Sequence, residues 1–235
     1  CKGDQVDRYL LPYSRGEKKS CLALSEPGAG SDAAAIKTRA ERKNGKWVLN
    51  GTKLWISGAR RADFMIVMAV TDATAEKRSK FTAFLVDKGT PGVTIPTSFP
   101  MIGEYHPYEV VFDNVELDDG QVLGEVGAGF APLSKRLGVR RLEIASRCLG
   151  LATRCLNMMI EQANTRQTFG APLSDRQAVQ WWISDSYQEI EMVRLMVYQM
   201  AWKMDAGKDS RLDGSMVKVQ GTEMITRVVD RAMQL

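Results

Sequence analysis

Residues 22–32 read Leu22-Ala23-Leu24-Ser25-Glu26-Pro27-Gly28-Ala29-Gly30-Ser31-Asp32, and Trp55-Ile56-Ser57-Gly58 follows downstream. The first stretch reads as an apolar strand. It breaks at Pro27 into a loop of small residues ending in a hydroxyl and a carboxylate. Backbone can approach a phosphate closely only where side chains are small, and Gly28, Ala29 and Gly30 meet that condition. The second stretch ends a strand with a large flat ring beside a hydroxyl. That pair suits stacking on, and hydrogen bonding to, a flat polar heterocycle. Gly28-Ala29-Gly30-Ser31-Asp32-Ala33 also fits G-x-G-x-x-A, but that pattern has meaning only between a strand and a helix. Pro27 precedes it, and residues 35–50 do not read as a helix. Asn44-Gly45 and Asn50-Gly51 instead punctuate short runs, Trp47-Val48-Leu49 and Leu54-Trp55-Ile56. Asn-Gly between short strands is a hairpin signal, because both residues tolerate positive φ. The pattern therefore argues against a dinucleotide-binding βαβ unit.

Outward from this core, residues 4–11 suggest a short helix and residues 16–20 a loop. From about residue 20 to 118, β-prone runs recur at 64–70, 81–86, 93–95 and 109–112. Turn chemistry separates them at Asn50-Gly51, Lys88-Gly89-Thr90-Pro91-Gly92 and Asp118-Asp119-Gly120. Strands so spaced, with no intervening helix, predict an antiparallel β-sandwich or barrel.

The period becomes helical from about residue 128. Phe130, Leu133, Leu137, Ile144, Cys148, Leu151, Cys155 and Met159 form one stripe, with Arg141 at its missing position. A guanidinium on an apolar stripe is costly unless an anion meets it. That anion is either an intramolecular carboxylate or a ligand. A second helix starts near Ser174 or Asp175 and carries Val179, Ile183, Tyr187, Ile190, Val193, Val197, Met200 and Met204. A third runs from about Gly214 through Val217, Met224 and Val228. Long amphipathic helices with short connections predict an up-down bundle. The fold class is α+β multidomain: residues 1–18 as the tail of a helical domain, 19–124 as a β-domain and 125–235 as an incomplete helical bundle. Both ends read as truncated.

The 235 residues are 44% hydrophobic and 26% charged, as in a globular protein. No apolar run approaches the ~18 residues that span a bilayer. The four cysteines lack metal-ligand or disulfide-framework spacing, and the single histidine, His106, leaves a Ser/His/Asp triad poorly supported. His106 reads as structural, in the loop Tyr105-His106-Pro107-Tyr108. A net charge of +4 is small for a nucleic-acid binder. The basic run Lys135, Arg136, Arg140, Arg141, Arg147 and Arg154 suits a solvated helix face or a small phosphorylated ligand.

These motifs, in this order and spacing, resemble the flavin-binding signatures of the acyl-CoA dehydrogenase family, and the resemblance covers essentially the whole chain. Gly124-Glu125-Val126-Gly127-Ala128-Gly129-Phe130 is similar to that family's entry to its C-terminal bundle. Thr165-Arg166-Gln167-Thr168-Phe169-Gly170 is similar to its Arg-x-x-Phe-Gly turn, with Arg176-Gln177 following. The resemblance implies FAD as cofactor. Leu24, Ser25, Trp55, Ile56 and Ser57 would line the flavin, with Gly30 in the phosphate loop and Ser31 near the phosphates and substrate. Arg166, Thr168, Phe169 and Gln177 would reach the flavin of a neighbouring subunit, and Arg141 would help bind coenzyme A. It further implies an acyl-CoA substrate, an electron-transfer flavoprotein or similar acceptor, and a homodimer or homotetramer, with no nucleic acid and no integral membrane segment. The location would be cytoplasmic in a bacterium, and mitochondrial matrix or peroxisome in a eukaryote.

Relatives remove an α-proton from an acyl thioester with a carboxylate while a β-hydride passes to flavin N5. That base is expected beyond Leu235. In a minority of relatives it stands immediately before the conserved arginine, where this chain has Arg140. Glu143 is not at either place. Two departures matter. Trp55-Ile56-Ser57-Gly58-Ala59 stands for the common Trp-Ile-Thr-Asn-Gly, and Gly138 stands where an Asp is frequent. The first variant and Arg136-Leu137-Gly138 are similar to a branch resembling the eukaryotic dehydrogenases numbered ten and eleven. An acyl-CoA oxidase, another flavoenzyme of this fold, and a catalytically silent flavin- or acyl-CoA-binding protein remain alternatives.

Overall fold

The β-prone runs become one sheet of eight strands. The computed structural model describes residues 1–76, 79–103 and 106–235, so Tyr105 lies outside the described residues. The chain forms two compact units, Cys1–Leu133 and Ser134–Leu235. In the first, a π-helical turn (Val6–Leu10) and a short helix α1 (Leu11–Ser14) precede the strands. These are β1 (Ser20–Ala23), β2 (Arg39–Lys43), β3 (Lys46–Ser57), β4 (Phe64–Val70), β5 (Phe81–Asp87), β6 (Val93–Thr94), β7 (Pro107–Leu117) and β8 (Val122–Leu123). Their order is β6-β7-β3-β2-β4-β5-β8, with β1 beside β4. Most pairings are antiparallel, as the turn spacing predicts. Two are parallel: β1 with β4, and Arg39 of β2 with Val70 of β4. Long connections set these pairings, so no local turn signal announces them.

Strand β4 is apolar throughout, and β5 is apolar apart from Thr82 and Asp87, because both faces of each are covered. Met65, Val67, Phe84 and Val86 join Trp47, Leu49, Val110 and Phe112 in the main core. On the other face Met68, Phe81 and Ala83 are covered by Ala29, Ile36 and Leu133. The Trp47 and Phe84 ring centroids are 5.6 Å apart, although β2 and β4 lie between β3 and β5 in strand order. The sheet therefore folds back on itself, the sandwich- or barrel-like closure expected. Truncating a fully buried ring such as Phe84 costs about 3–5 kcal/mol.

One turn expectation fails. Asn44-Gly45 makes the hairpin, with φ of 51° and 79°. Asn50-Gly51 does not: β3 runs through it with a register shift against β7 between Leu49 and Gly51. A Cβ on Gly51 would stand 2.5 Å from Thr38 Oγ1 and 2.8 Å from Thr38 Cα. Glycine serves close chain approach at a bulge here, not a turn.

The second unit holds helix α2 (Phe130–Thr165, which begins in the first unit), a hairpin of β9 (Gln167–Thr168) and β10 (Ala171–Pro172), α3 (Gln177–Asp205) and α4 (Arg211–Gln234). Lys203 pairs with Asp213 at 2.7 Å, Glu189 with Arg227 at 2.7 Å, and Arg231 donates to Ser186 Oγ at 3.1 Å. Partner numbers fall along α3 as they rise along α4, so these helices are antiparallel, as in an up-down bundle. Their common core contains Ala145, Leu149, Ala152, Leu156, Ile190, Val193, Val197, Met200, Val217, Met224 and Val228.

The α2 stripe is displaced from the expected one. Leu133 and Met159 of that stripe are buried, but Leu137 and Leu151 are exposed, and between them the seam runs instead through Ala145, Leu149, Ala152 and Leu156, continuing to Ala163. A Cβ on Gly221 would lie 3.2 Å from Ala145 Cα, so α2 and α4 meet through small residues. A pattern built on large side chains alone misses such a seam. On α3, Ser186 rather than Tyr187 is buried, and it receives the Arg231 bond. No helix among the described residues is long and apolar enough to cross a membrane.

Candidate functional site

Past Ala23 the chain leaves the sheet, and its polar backbone groups need new partners. Lys53 Nζ donates to the Leu24 carbonyl at 3.0 Å, and the Leu54 amide donates to the Ser25 carbonyl at 2.8 Å. Glu26 and Ala29 exchange two backbone hydrogen bonds, of 2.8 and 3.2 Å, which fold Pro27-Gly28 into a tight turn. The Glu26 carboxylate accepts the Lys37 amide at 2.6 Å, the Thr38 amide at 3.0 Å and the Lys53 ammonium at 2.8 Å. The Lys53 side chain is 0% exposed and that of Glu26 6%. Burial works to raise the Glu26 pKa, but the Lys53 ammonium and the amides outweigh it and hold the carboxyl below its usual range. Burial pushes the Lys53 ammonium down, against the pull of Glu26.

This pair brings the two quoted motifs together, because Lys53 and Leu54 immediately precede Trp55. A second register shift against β7 falls between Lys53 and Ile56. Within it Trp55 has φ of 61° and its side chain is 55% exposed. A bulky residue in left-handed backbone is strained, and such strain persists only where the surroundings impose it. The bulge re-aims the ring out of the sheet, where its centroid lies 4.5 Å from that of Phe99. His106 Nδ1 lies 3.3 Å from the Phe99 carbonyl oxygen. Ser57, two residues after Trp55, is exposed, whereas Ile56 between them is sealed in the core at 2% exposure. Gly30 and Ser31 are exposed, and Leu24 and Ser25 half-buried. Neither Gly28 nor Gly30 has left-handed backbone, and a Cβ added at either meets nothing within 4 Å.

In the second unit, Thr168 pairs with Ala171 across a two-residue turn formed by Phe169 (φ 52°) and Gly170 (φ 76°). Positive φ at both positions defines the turn type that suits a two-residue hairpin, and an aromatic at the first is unusual. The Phe169 side chain is 100% exposed. Arg176 Nη2 donates to the Thr168 carbonyl at 2.6 Å, and its guanidinium lies 6.0 Å from the Phe169 ring centroid. Arg166 is exposed at the end of α2, and Gln177 is exposed at the first position of α3.

The stripe argument for Arg141 is overturned. Its side chain is exposed, with its Cδ beside Gly214 of α4, and it pairs with no carboxylate among the described residues. The α2 seam lies one position on, so Arg141 is not a buried guanidinium that needs neutralising. Glu143, the nearest candidate acid, is taken by Arg136 at 3.0 Å and Arg140 at 2.8 Å. Those two arginines hold its carboxyl below the usual range.

Sequence reading missed Lys53 with Glu26, Phe99, and Arg176 as a partner of the hairpin. A lysine flanked by strand residues two positions before Trp55, with a carboxylate inside the first motif, was the available signal for the pair. Nothing local marks Phe99.

Two family descriptions match the chain: acyl-CoA dehydrogenase, middle domain, over residues 21–115, and acyl-CoA dehydrogenase, C-terminal domain, over residues 127–235. Together they cover both motifs, the Phe169 hairpin and all of α3 and α4. The chain belongs to the acyl-CoA dehydrogenase family. It is 51% identical over 233 residues to (R)-benzylsuccinyl-CoA dehydrogenase of Thauera aromatica, covering 98% of this chain and 57% of that protein. Among solved structures it is similar to butyryl-CoA dehydrogenase from Megasphaera elsdenii, with TM-score 0.92 and 32% identity over 98% of this chain and 61% of that one. It is also similar to PigA with FAD and proline, with TM-score 0.95 and 30% identity over 99% and 61%. The chain thus spans little more than half the length of these relatives.

Proposed function

We propose that the protein of which these residues are part is an FAD-dependent acyl-CoA dehydrogenase. The observation that carries this reading is the surface formed by the Gly28–Ser31 loop and Trp55. Two glycines there answer no need of the fold: their backbone is ordinary and the space around a Cβ is open. Small residues on such a surface leave room for a ligand to lie against the backbone, and a strained, outward-facing indole stands one residue from the backbone bond joining the two motifs. These features fit a flavin with its pyrophosphate. Bound there, FAD would supply a hydride acceptor for oxidising a Cα–Cβ bond beside a thioester. In this reading the Trp55 ring offers a stacking face and the Ser57 hydroxyl a hydrogen bond. Leu24, Ser25 and Ile56, the last buried behind the surface, complete the wall, while Gly30 and Ser31 give onto the phosphates, Ser31 also onto substrate. Arg166, Thr168, Phe169 and Gln177 serve a flavin held by a neighbouring copy, in a homodimer or homotetramer. Exposed, and with no carboxylate partner among the described residues, Arg141 is available to an anionic group of coenzyme A.

Proton abstraction is assigned to no residue of 1–235. Glu143 is a weakened base, gripped by two arginines. We assign residues 19–124 to the middle domain and 125–235 to the helical domain. Electrons would pass to an electron-transfer flavoprotein or similar acceptor, in the cytoplasm of a bacterium or the mitochondrial matrix or peroxisome of a eukaryote. The 51% identity to the benzylsuccinyl-CoA enzyme favours a bulky substituted acyl-CoA over a short straight chain. The test is purification of the full-length protein and assay with benzylsuccinyl-CoA and butyryl-CoA against an artificial electron acceptor. Yellow protein releasing FAD, with faster turnover of the bulky thioester, is expected. Colourless protein that takes up no added FAD would overturn the reading.

A further inference from the structure

We propose that Lys53 is a positioning residue: its buried ammonium locks the 24–38 loop to the bulge that carries Trp55. The two segments assigned above to the flavin then keep one fixed spacing. This inference rests on the FAD reading for its purpose, and on contacts within the first unit for its geometry.

Three bonds converge on the pair. Lys53 Nζ holds the Leu24 carbonyl at the start of the loop and the Glu26 carboxylate two residues on. That same carboxylate accepts the amides of Lys37 and Thr38, where the loop returns. Glu26 therefore closes the loop, and Lys53 ties the closed loop to β3. The adjacent bond from the Leu54 amide to the Ser25 carbonyl transmits this restraint to the residue before Trp55. An apolar pair of equal volume at positions 26 and 53 can match or exceed a buried ion pair in stability. It cannot hold a backbone carbonyl and two amides in one geometry. What the charges add is placement, and Trp55 at φ 61° is the residue whose placement needs imposing. Lys53 donates to no outward-facing group in this arrangement, so it acts through the loop and the bulge rather than on a ligand.

The single change Lys53→Met leaves an uncompensated buried carboxylate and can fail to fold. The informative variant is the double change Lys53→Met with Glu26→Gln, made in the full-length protein. Gln keeps an acceptor for one of the two returning amides, and both charges leave together. Without FAD, this variant is expected to melt close to the wild type while hydrogen exchange at the Leu54 amide rises roughly tenfold or more. FAD affinity is expected to fall by roughly tenfold, with an altered visible circular dichroism of the bound flavin. A folded double variant with wild-type exchange at Leu54 overturns the proposal. So does faster exchange at Leu54 with FAD affinity and dichroism unchanged. If the wild-type protein itself takes up no FAD, the functional reading falls, and the exchange rate at Leu54 in the unliganded protein decides whether Lys53 locks the loop.

Discussion

The two units hold their candidate site residues in opposite ways. In the first, Trp55 and the loop before it are fixed from beneath by a fully buried ion pair, two side-chain-to-amide bonds and a backbone bond, all inside the molecule. In the second, Phe169 stands fully exposed on a two-residue turn held by its short strand pairing and by Arg176 on the Thr168 carbonyl, and Arg141 on α2 and Arg166 just past its end are exposed with no carboxylate partner among the described residues. The first arrangement is pre-organised, with the cost of ordering met on folding. The second leaves its side chains exposed, with no comparable buried network beneath them among the described residues. Loss of a holding group should therefore be felt as instability in the first unit and as weak binding in the second.

The largest effect belongs to Lys53→Met. Removing one partner of a buried pair strands the other charge, and such changes cost about 3–5 kcal/mol. Chemical denaturation of the full-length protein should show that loss. A loss below about 1 kcal/mol would place the pair among exposed bridges and dissolve the contrast between the units. At the other extreme is Arg141→Met, which keeps the aliphatic stem beside Gly214 and removes only the charge. Stability should stay within about 0.5 kcal/mol, the range of ordinary surface changes, while the Michaelis constant for acyl-CoA rises. A marked fall in melting temperature with unchanged affinity would return Arg141 to a structural role.

The same contrast separates what was legible in the sequence from what was not. Continuous β-prone runs and turn chemistry located β4 and β5 closely, because largely apolar strands bounded by Gly, Asp and Pro carry local signals. The motif around Gly28 and Trp55 was legible as chemistry because its residue types are unusual for a loop and a strand end. Asn50-Gly51 misled, since Asn-Gly reads as a turn whether the glycine bends the chain or yields room to Thr38. The α2 seam was misplaced because Ala145 and Ala152 pack on glycine and carry little weight in a hydrophobic pattern. Arg141 then looked buried when it is exposed. Lys53 and Glu26 escaped because their partnership spans two chain segments, and only the fold shows that one carboxylate serves both.

The central claim is that the Gly28–Ser31 loop and Trp55 present a surface shaped for FAD rather than for the fold. Equilibrium FAD binding to the full-length Gly30→Val variant tests it most directly. A Cβ added at position 30 meets no atom within 4 Å, and the backbone there is not left-handed, so the unliganded variant should melt with the wild type. The account predicts that FAD binds it at least about tenfold more weakly, the equivalent of roughly 1.4 kcal/mol. Wild-type FAD affinity in that variant would contradict it.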